Sequence, residues 1–320
     1  DLDQLSNHYV REVYEQELFP NRETAYQETA AINVLNMAYY PQERGPYNLD
    51  TNLNSDGTLR NPERRWGGMM RKLETSDFET ANIEYVSFWL LDPFIYDEEA
   101  GTTADAGGYL YINLGEVSED ILKDGKKFFE NGLPTDGDLT RTEETVWGRV
   151  PRDRSVVYAF DTSSGTRRLQ DVGLNGLSTE DERGFSTYND YLNKVQAVVS
   201  PDAYTRFYDD PAADNYHYFR GTDYDQEERS ILDRYKYYNN TEGNSTTSED
   251  SPERYDISAK TTPDVEDINQ DNTLNENEKY YQYRISLRPS DLKVGENYIT
   301  DKRTVNVHLR NGNREEVTWY

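Results

Sequence analysis

Cysteine is absent from the 320 residues, and histidine occurs only three times. The first absence removes disulfides, thiolate metal ligands and a cysteine nucleophile, and leaves the compartment open. The histidines, His8, His217 and His308, are too scattered for a zincin or any paired-imidazole site. No stretch approaches the ~18 apolar residues that a membrane-crossing helix needs. No basic and apolar leader follows Asp1, so these residues are expected to hold no signal peptide. Positive charge is scarce too: 34 Lys+Arg face 61 Asp+Glu, a net charge of −27. Such a field repels phosphate backbones and anionic membranes, so no nucleic-acid partner is expected. It suits divalent cations, basic partners or plain solubility.

What the chain has instead is rings. Apolar side chains are only 34% of the total, which for so acidic a chain borders on the disordered class. Against that stand 27 Tyr and 4 Trp, each a large buriable face with a polar handle. A folded, Tyr-rich, mainly β chain is the better reading.

The pattern divides into three parts. In residues 1–176, Ile83-Glu84-Tyr85-Val86-Ser87-Phe88-Trp89-Leu90-Leu91 is apolar on both alternating faces, as in a central strand covered on both sides, and Pro93 should end it. Leu110, Ile112 and Leu114 share one face of a second strand, residues 109–114, and residues 156–160 make a third. Weaker strands are expected at 9–18, 32–40, 68–74 and 145–150. Turn clusters fill 41–59 and 97–108, and Ser118 is placed to cap a short helix through Ile121, Leu122 and Phe128.

Residues 177–255 read as a helical insertion. Ser178 supplies a cap and Glu180-Asp181-Glu182 an acidic first turn; Tyr188, Tyr191, Leu192, Val195, Val198 and Val199 follow at helical spacing until Ser200-Pro201. A second helix is expected over 225–238 with Ile231, Leu232 and Tyr235 inward. The polar run 239–253 reads as a mobile loop whose two Asn-X-Thr sequons are incidental.

Strands resume in residues 256–320, with Tyr281, Tyr283, Ile285 and Leu287 on one face and Val305, Val307 and Leu309 on another. The chain stops inside an apparent strand, residues 317–320, which suggests a piece of something longer. Strands, helices, then strands predict a mainly β fold: a β-sandwich of jelly-roll type with a helical insertion and a calcium-type loop.

That loop is the sharpest local signal. Asp267, Asn269, Asp271, Asn275 and Glu278 place oxygen donors at positions 1, 3, 5, 9 and 12 of a twelve-residue calcium loop, and Thr273 can lend its carbonyl at position 7. Leu274 supplies the apolar anchor. Asn272 stands where glycine is usual, but asparagine tolerates a left-handed backbone. The competing reading is an Asx-turn-rich loop that binds nothing. The similar run from Asp50 to Gly57 lacks a terminal glutamate and reads as an ordinary turn.

Catalysis has little support: no nucleophile elbow and no phosphate-cradling glycine loop occurs. Asp209, Asp210, Asp214, Asp223 and Asp225 can be read as an acidic pocket, but a solvated face is the favoured reading. Trp66, Trp89, Trp147 and Trp319 can be read as a sugar-binding groove, with Trp89 better placed in the core.

Several words in this sequence carry a resemblance. Arg65-Trp66-Gly67-Gly68-Met69-Met70-Arg71 followed by Ile83-Glu84-Tyr85-Val86-Ser87-Phe88-Trp89 is similar to the SprA (Sov) family, as are Glu43-Arg44-Gly45-Pro46-Tyr47-Asn48, Leu110-Tyr111-Ile112-Asn113-Leu114-Gly115 and Gly295-Glu296-Asn297-Tyr298. The family comprises giant outer-membrane proteins of Bacteroidota that form the translocon of the type IX secretion system and serve gliding motility. The resemblance implies a non-enzymatic module set between strands of a large barrel. Partners would be other regions of that barrel, a PorV-like shuttle protein, a periplasmic plug protein and secreted cargo. It places the module on the extracellular side, with the periplasmic side as the alternative. The other reading from the residues is a calcium-dependent carbohydrate-binding module of jelly-roll type, with an extracellular glycosidase third.

Overall fold

Alternating sequence gives strands here, but only in pairs. A computed structural model describes residues 2–22, 31–75, 77–96, 107–126, 132–153, 159–163, 165–244, 261–263 and 265–320. The elements, in chain order, are β1 (Val13–Tyr14), α1 (Glu15–Leu18), β2 (Ala31–Ile32), β3 (Tyr109–Glu116), β4 (Thr142–Glu144), β5 (Arg149–Pro151), α2 (Arg167–Gln170), α3 (Thr179–Gly184), α4 (Ser186–Gln196), α5 (Pro201–Asp209), α6 (Thr222–Gln226), α7 (Ile231–Tyr235), β6 (Lys279–Ser286), β7 (Arg303–His308) and β8 (Arg314–Trp319). The strands form four two-stranded antiparallel sheets, β1–β2, β3–β6, β4–β5 and β7–β8.

Antiparallel strands and a helical insertion are thus present, but the described residues do not assemble the two stacked sheets of a jelly roll. The reason is visible on β3 and β6. Leu110, Ile112 and Leu114 alternate as expected but stay half-buried, and across the ladder Tyr281 is 79% exposed. With so few aliphatics, neither face of this ladder is apolar enough to be covered by a second sheet.

Burial is instead concentrated in three local clusters. One joins α4 and α5 through Tyr191, Leu192, Val195, Ala203 and Phe207, closed by Leu53 and Leu59 from the turn region. A second gathers Tyr47, Leu122, Leu174, Leu177, Tyr188 and Ala212. The third packs Val13 and Leu18 against Val307, Val317 and Trp319, as the alternation of the last strands predicts.

The helix expected over 179–199 is real but broken. Ser178 caps α3 by accepting from the Asp181 amide at 3.2 Å, and the helix ends at Gly184 because Phe185 is extended (φ −76°, ψ 135°). Ser200-Pro201 ends the apolar run and also starts α5: Ser200 accepts from the Ala203 amide, and Pro201 opens the first turn. Residues 225–238 form no single helix. A left-handed Glu228 (φ 53°) separates α6 from α7, and Tyr235 is 48% exposed rather than inward.

Other expectations are corrected. Residues 119–126 form no helix after Ser118, whose hydroxyl accepts from the Asp120 amide in a local turn; Leu122 is buried, Ile121 is exposed, and Phe128 lies outside the described residues. Of the weaker strands, 9–18 reduces to β1 and α1, 32–40 to β2, 145–150 to the β4–β5 hairpin, and 68–74 forms none. The strand at 156–160 falls mostly outside the described residues. The loop from Asn239 is anchored at its start, where Asn240 is buried and the Glu242 amide donates to the Asp214 carbonyl at 2.8 Å; residues 245–253 lie outside the described set.

The largest correction concerns 83–91. Instead of a covered central strand, this segment has no regular structure and faces solvent, with Tyr85 78% exposed and Val86 and Phe88 also exposed. Only its end is paired, where Leu90 and Tyr320 exchange main-chain bonds of 2.8 and 2.9 Å and Trp89 and Leu91 join the third cluster.

Candidate functional site

The loop 267–278 folds around its own oxygens. Asp267 is buried; one of its carboxylate oxygens accepts from the Asp271 amide and the other from Asn272 at 3.0 Å. Asn269 also accepts from the Asp271 amide, and Asp271 accepts from both the amide and the hydroxyl of Thr273. The Thr273 hydroxyl holds the Asp271 carboxyl below its ordinary pKa. Asn272 takes the left-handed conformation foreseen for it (φ 62°), as does Gln270 (φ 61°). Glu119 ties the loop to the chain ahead of it: its carboxylate accepts from the amides of Asn269 and Asn275, and its amide donates to the Asn275 carbonyl at 2.7 Å. Glu278 is exposed where the chain enters β6.

A second acidic group lies in the helical region, and only part of it was legible. Of the five aspartates read as one face, Asp223 bonds His217 at 2.8 Å, Asp225 pairs with Arg234, and Asp209 is exposed. Asp210 and Asp214 turn inward instead and meet Glu182. Among the described residues, these three form the one set of carboxylate or imidazole groups whose ligand atoms all lie within 4.8 Å of one another. Glu182 and Asp214 are fully buried and Asp210 half-buried. A solvated face is therefore the wrong description for this pair.

Each member is held from a different piece of chain. Glu182, on α3, accepts from Asn175 Nδ2 at 2.5 Å and from the Ala212 amide at 3.1 Å. Asp210, just past α5, accepts from the amides of Asp214 and Asn215. Tyr47 donates to Asp214 Oδ2 at 2.6 Å and accepts from the Leu174 amide at 2.6 Å. Gly173 lets these groups close up, since a Cβ there would sit 2.2 Å from Asp214 Oδ2, and its φ of 85° suits glycine. Beside them Glu242 accepts from the amide and hydroxyl of Thr179. Burial, then the neighbouring Asp214, pushes Glu182 up to about 9; burial likewise raises Asp214 and Asp210. Glu182 carried no advance signal because the break at Phe185 resets the helical phase.

The four tryptophans share no groove. Trp319 is buried and Trp89 half-buried in the third cluster, Trp147 packs on the second, and Trp66 is 86% exposed.

Residues 190–320 match the SprA_N family model, described as a motility related/secretion protein. Over those residues the chain is similar to the SprA family. No curated protein matches the chain. The SprA stretch runs from within α4 to the last strand and takes in Asp210, Asp214, Glu242 and the 267–278 loop. Glu182 and Tyr47 lie outside it yet bond into the same carboxylate group, so the unmatched and matched parts share one packed interior. A secretion- and motility-related family is not an enzyme family. Among the described residues no helix is long and apolar enough to cross a membrane.

Proposed function

We propose that the chain is a non-catalytic module of a giant outer-membrane protein-secretion channel of the type IX system, braced against the parent barrel and offering a surface to its partners. The family match over 190–320 carries this reading. Exposed chain supports it. Residues 33–39, 66–74 and 84–89 form no helix or strand, and their main-chain groups bond no other described residue. They also present Leu35, Met37, Trp66, Met69, Tyr85 and Phe88 to solvent. Unpaired main chain with apolar side chains suits docking to β structure. Regions of the parent barrel, a PorV-like shuttle, a periplasmic plug or passing cargo would be what they meet, with the extracellular side as the proposed location. The acidic surface keeps such a module from adhering to acidic or neutral cargo. The proposal also gives Asp267, Asn269, Asp271, Thr273, Asn275 and Glu278 a structural calcium.

The test is in the full-length parent. An in-frame deletion of residues 117–278, which leaves the partnered ends of β3 and β6 to be joined by a short turn, should cut secretion of cargo into the medium at least tenfold with the barrel still inserted. Wild-type secretion from the deleted protein would overturn the reading. Saturable sugar binding by the 320-residue chain on a glycan array would favour the carbohydrate-binding alternative.

A further inference from the structure

We propose that Glu182, Asp210 and Asp214 bind a divalent cation of calcium size inside the helical region, separately from the 267–278 loop. The deciding observation is Asp214 Oδ1, a fully buried carboxylate oxygen with no hydrogen-bond partner. Tyr47 serves only the other oxygen, Oδ2. Buried polar atoms are almost always satisfied, and an orphan oxygen beside two further buried carboxylates is met either by protons on the group or by a bound cation that displaces them.

The protein supplies positive charge only at a distance, through Arg44, which favours ionised Asp210 without pairing with it. Among the described residues, no Lys, Arg or His forms an ion pair with Glu182, Asp210 or Asp214. Arg44, the nearby cation, gives its guanidinium to the main-chain carbonyls of Asp210 and Pro211, each at 2.5 Å. The geometry suits a hard ion. Oxygens no more than 4.8 Å apart can be spanned by calcium, whose oxygen ligands lie at about 2.3–2.6 Å. The ligands are also fixed in advance, Glu182 by Asn175 and Ala212 and Asp210 by two amides. The loop differs: Asp267, Asp271 and Glu278 do not gather within the same span.

Calcium titration of the 320-residue chain, by calorimetry and by melting with calcium against chelator, tests this independently of any secretion role. In the loop variant Asp271→Asn with Glu278→Gln, both side chains are exposed, so the fold should survive. That variant should keep one bound calcium and a melting temperature raised by calcium. Adding Asp210→Asn, at a half-buried position, should weaken the remaining binding at least tenfold, and Asp214→Asn should abolish it. If Asp214→Asn fails to fold, the Asp210→Asn result decides. A loop variant that binds no calcium would overturn the proposal, as would undiminished binding after Asp210→Asn.

Discussion

Residues 171–244 and the segments 33–39, 66–74 and 84–89 end in opposite states. Both are rich in rings and short of aliphatics. In the first, Tyr188 and Tyr191 are buried; in the second, Trp66 and Tyr85 stand in solvent. The difference lies in the main chain. Helices α3, α4 and α5 satisfy their own amides, so each need only turn one stripe inward. An extended segment satisfies nothing by itself and stays bare until another strand arrives. The helical region therefore encloses an interior, closed by Tyr47, Leu53 and Leu59 from earlier in the chain, whereas the unpaired segments stay open.

The contrast breaks most sharply at Tyr188. Tyr188→Ala removes a fully buried ring and its hydroxyl's contact with Asn175 at 3.0 Å, and should cost about 3–5 kcal/mol in urea denaturation. Tyr47→Phe comes next. It strands the Leu174 amide and strips Asp214 Oδ2 of its donor, for a loss of about 1–3 kcal/mol by the same measurement. Removing a cap with Ser178→Ala or Ser200→Ala should cost about 1 kcal/mol each. At the far end, Trp66→Ser and Tyr85→Ser should change stability by less than ~0.5 kcal/mol. Losses as large as those at Tyr47 would mean that these rings are covered in solution and that the contrast is false. Hydrogen exchange sharpens it further: amides of 66–74 and 84–89 should exchange without protection while those of α4 exchange slowest.

The parts of the fold legible in advance were those governed by local chemistry. Ser178 and Ser200-Pro201 marked true helix boundaries, the Val305–Val307 alternation marked a true strand, and Asn272 took the backbone its loop position requires. What escaped depends on partners distant in sequence. The apolar run 83–91 has the composition of a buried strand, yet burial needs a neighbour that composition does not name. The carboxylate group escaped for a related reason: Glu182, Asp210 and Asp214 meet only because α3 and the chain after α5 converge on Gly173. The 267–278 donors were legible as a spacing, and the self-bonded turns around Asp267 and Asp271 are those that the competing Asx-turn reading describes.

The β3–β6 ladder has a mechanical consequence. Tyr109 pairs with Ser286 at one end and Glu116 with Lys279 at the other, so the chain leaves for residues 117–278 and returns through a gap of about 5 Å. Tension applied through the flanking chain enters at the Tyr109–Ser286 end and peels the eight pairs open one after another, like a zip fastener, instead of shearing them together. The interior near Gly173 is joined to the flanking chain by a separate route, through Tyr47 and Arg44, so opening the ladder alone leaves it closed.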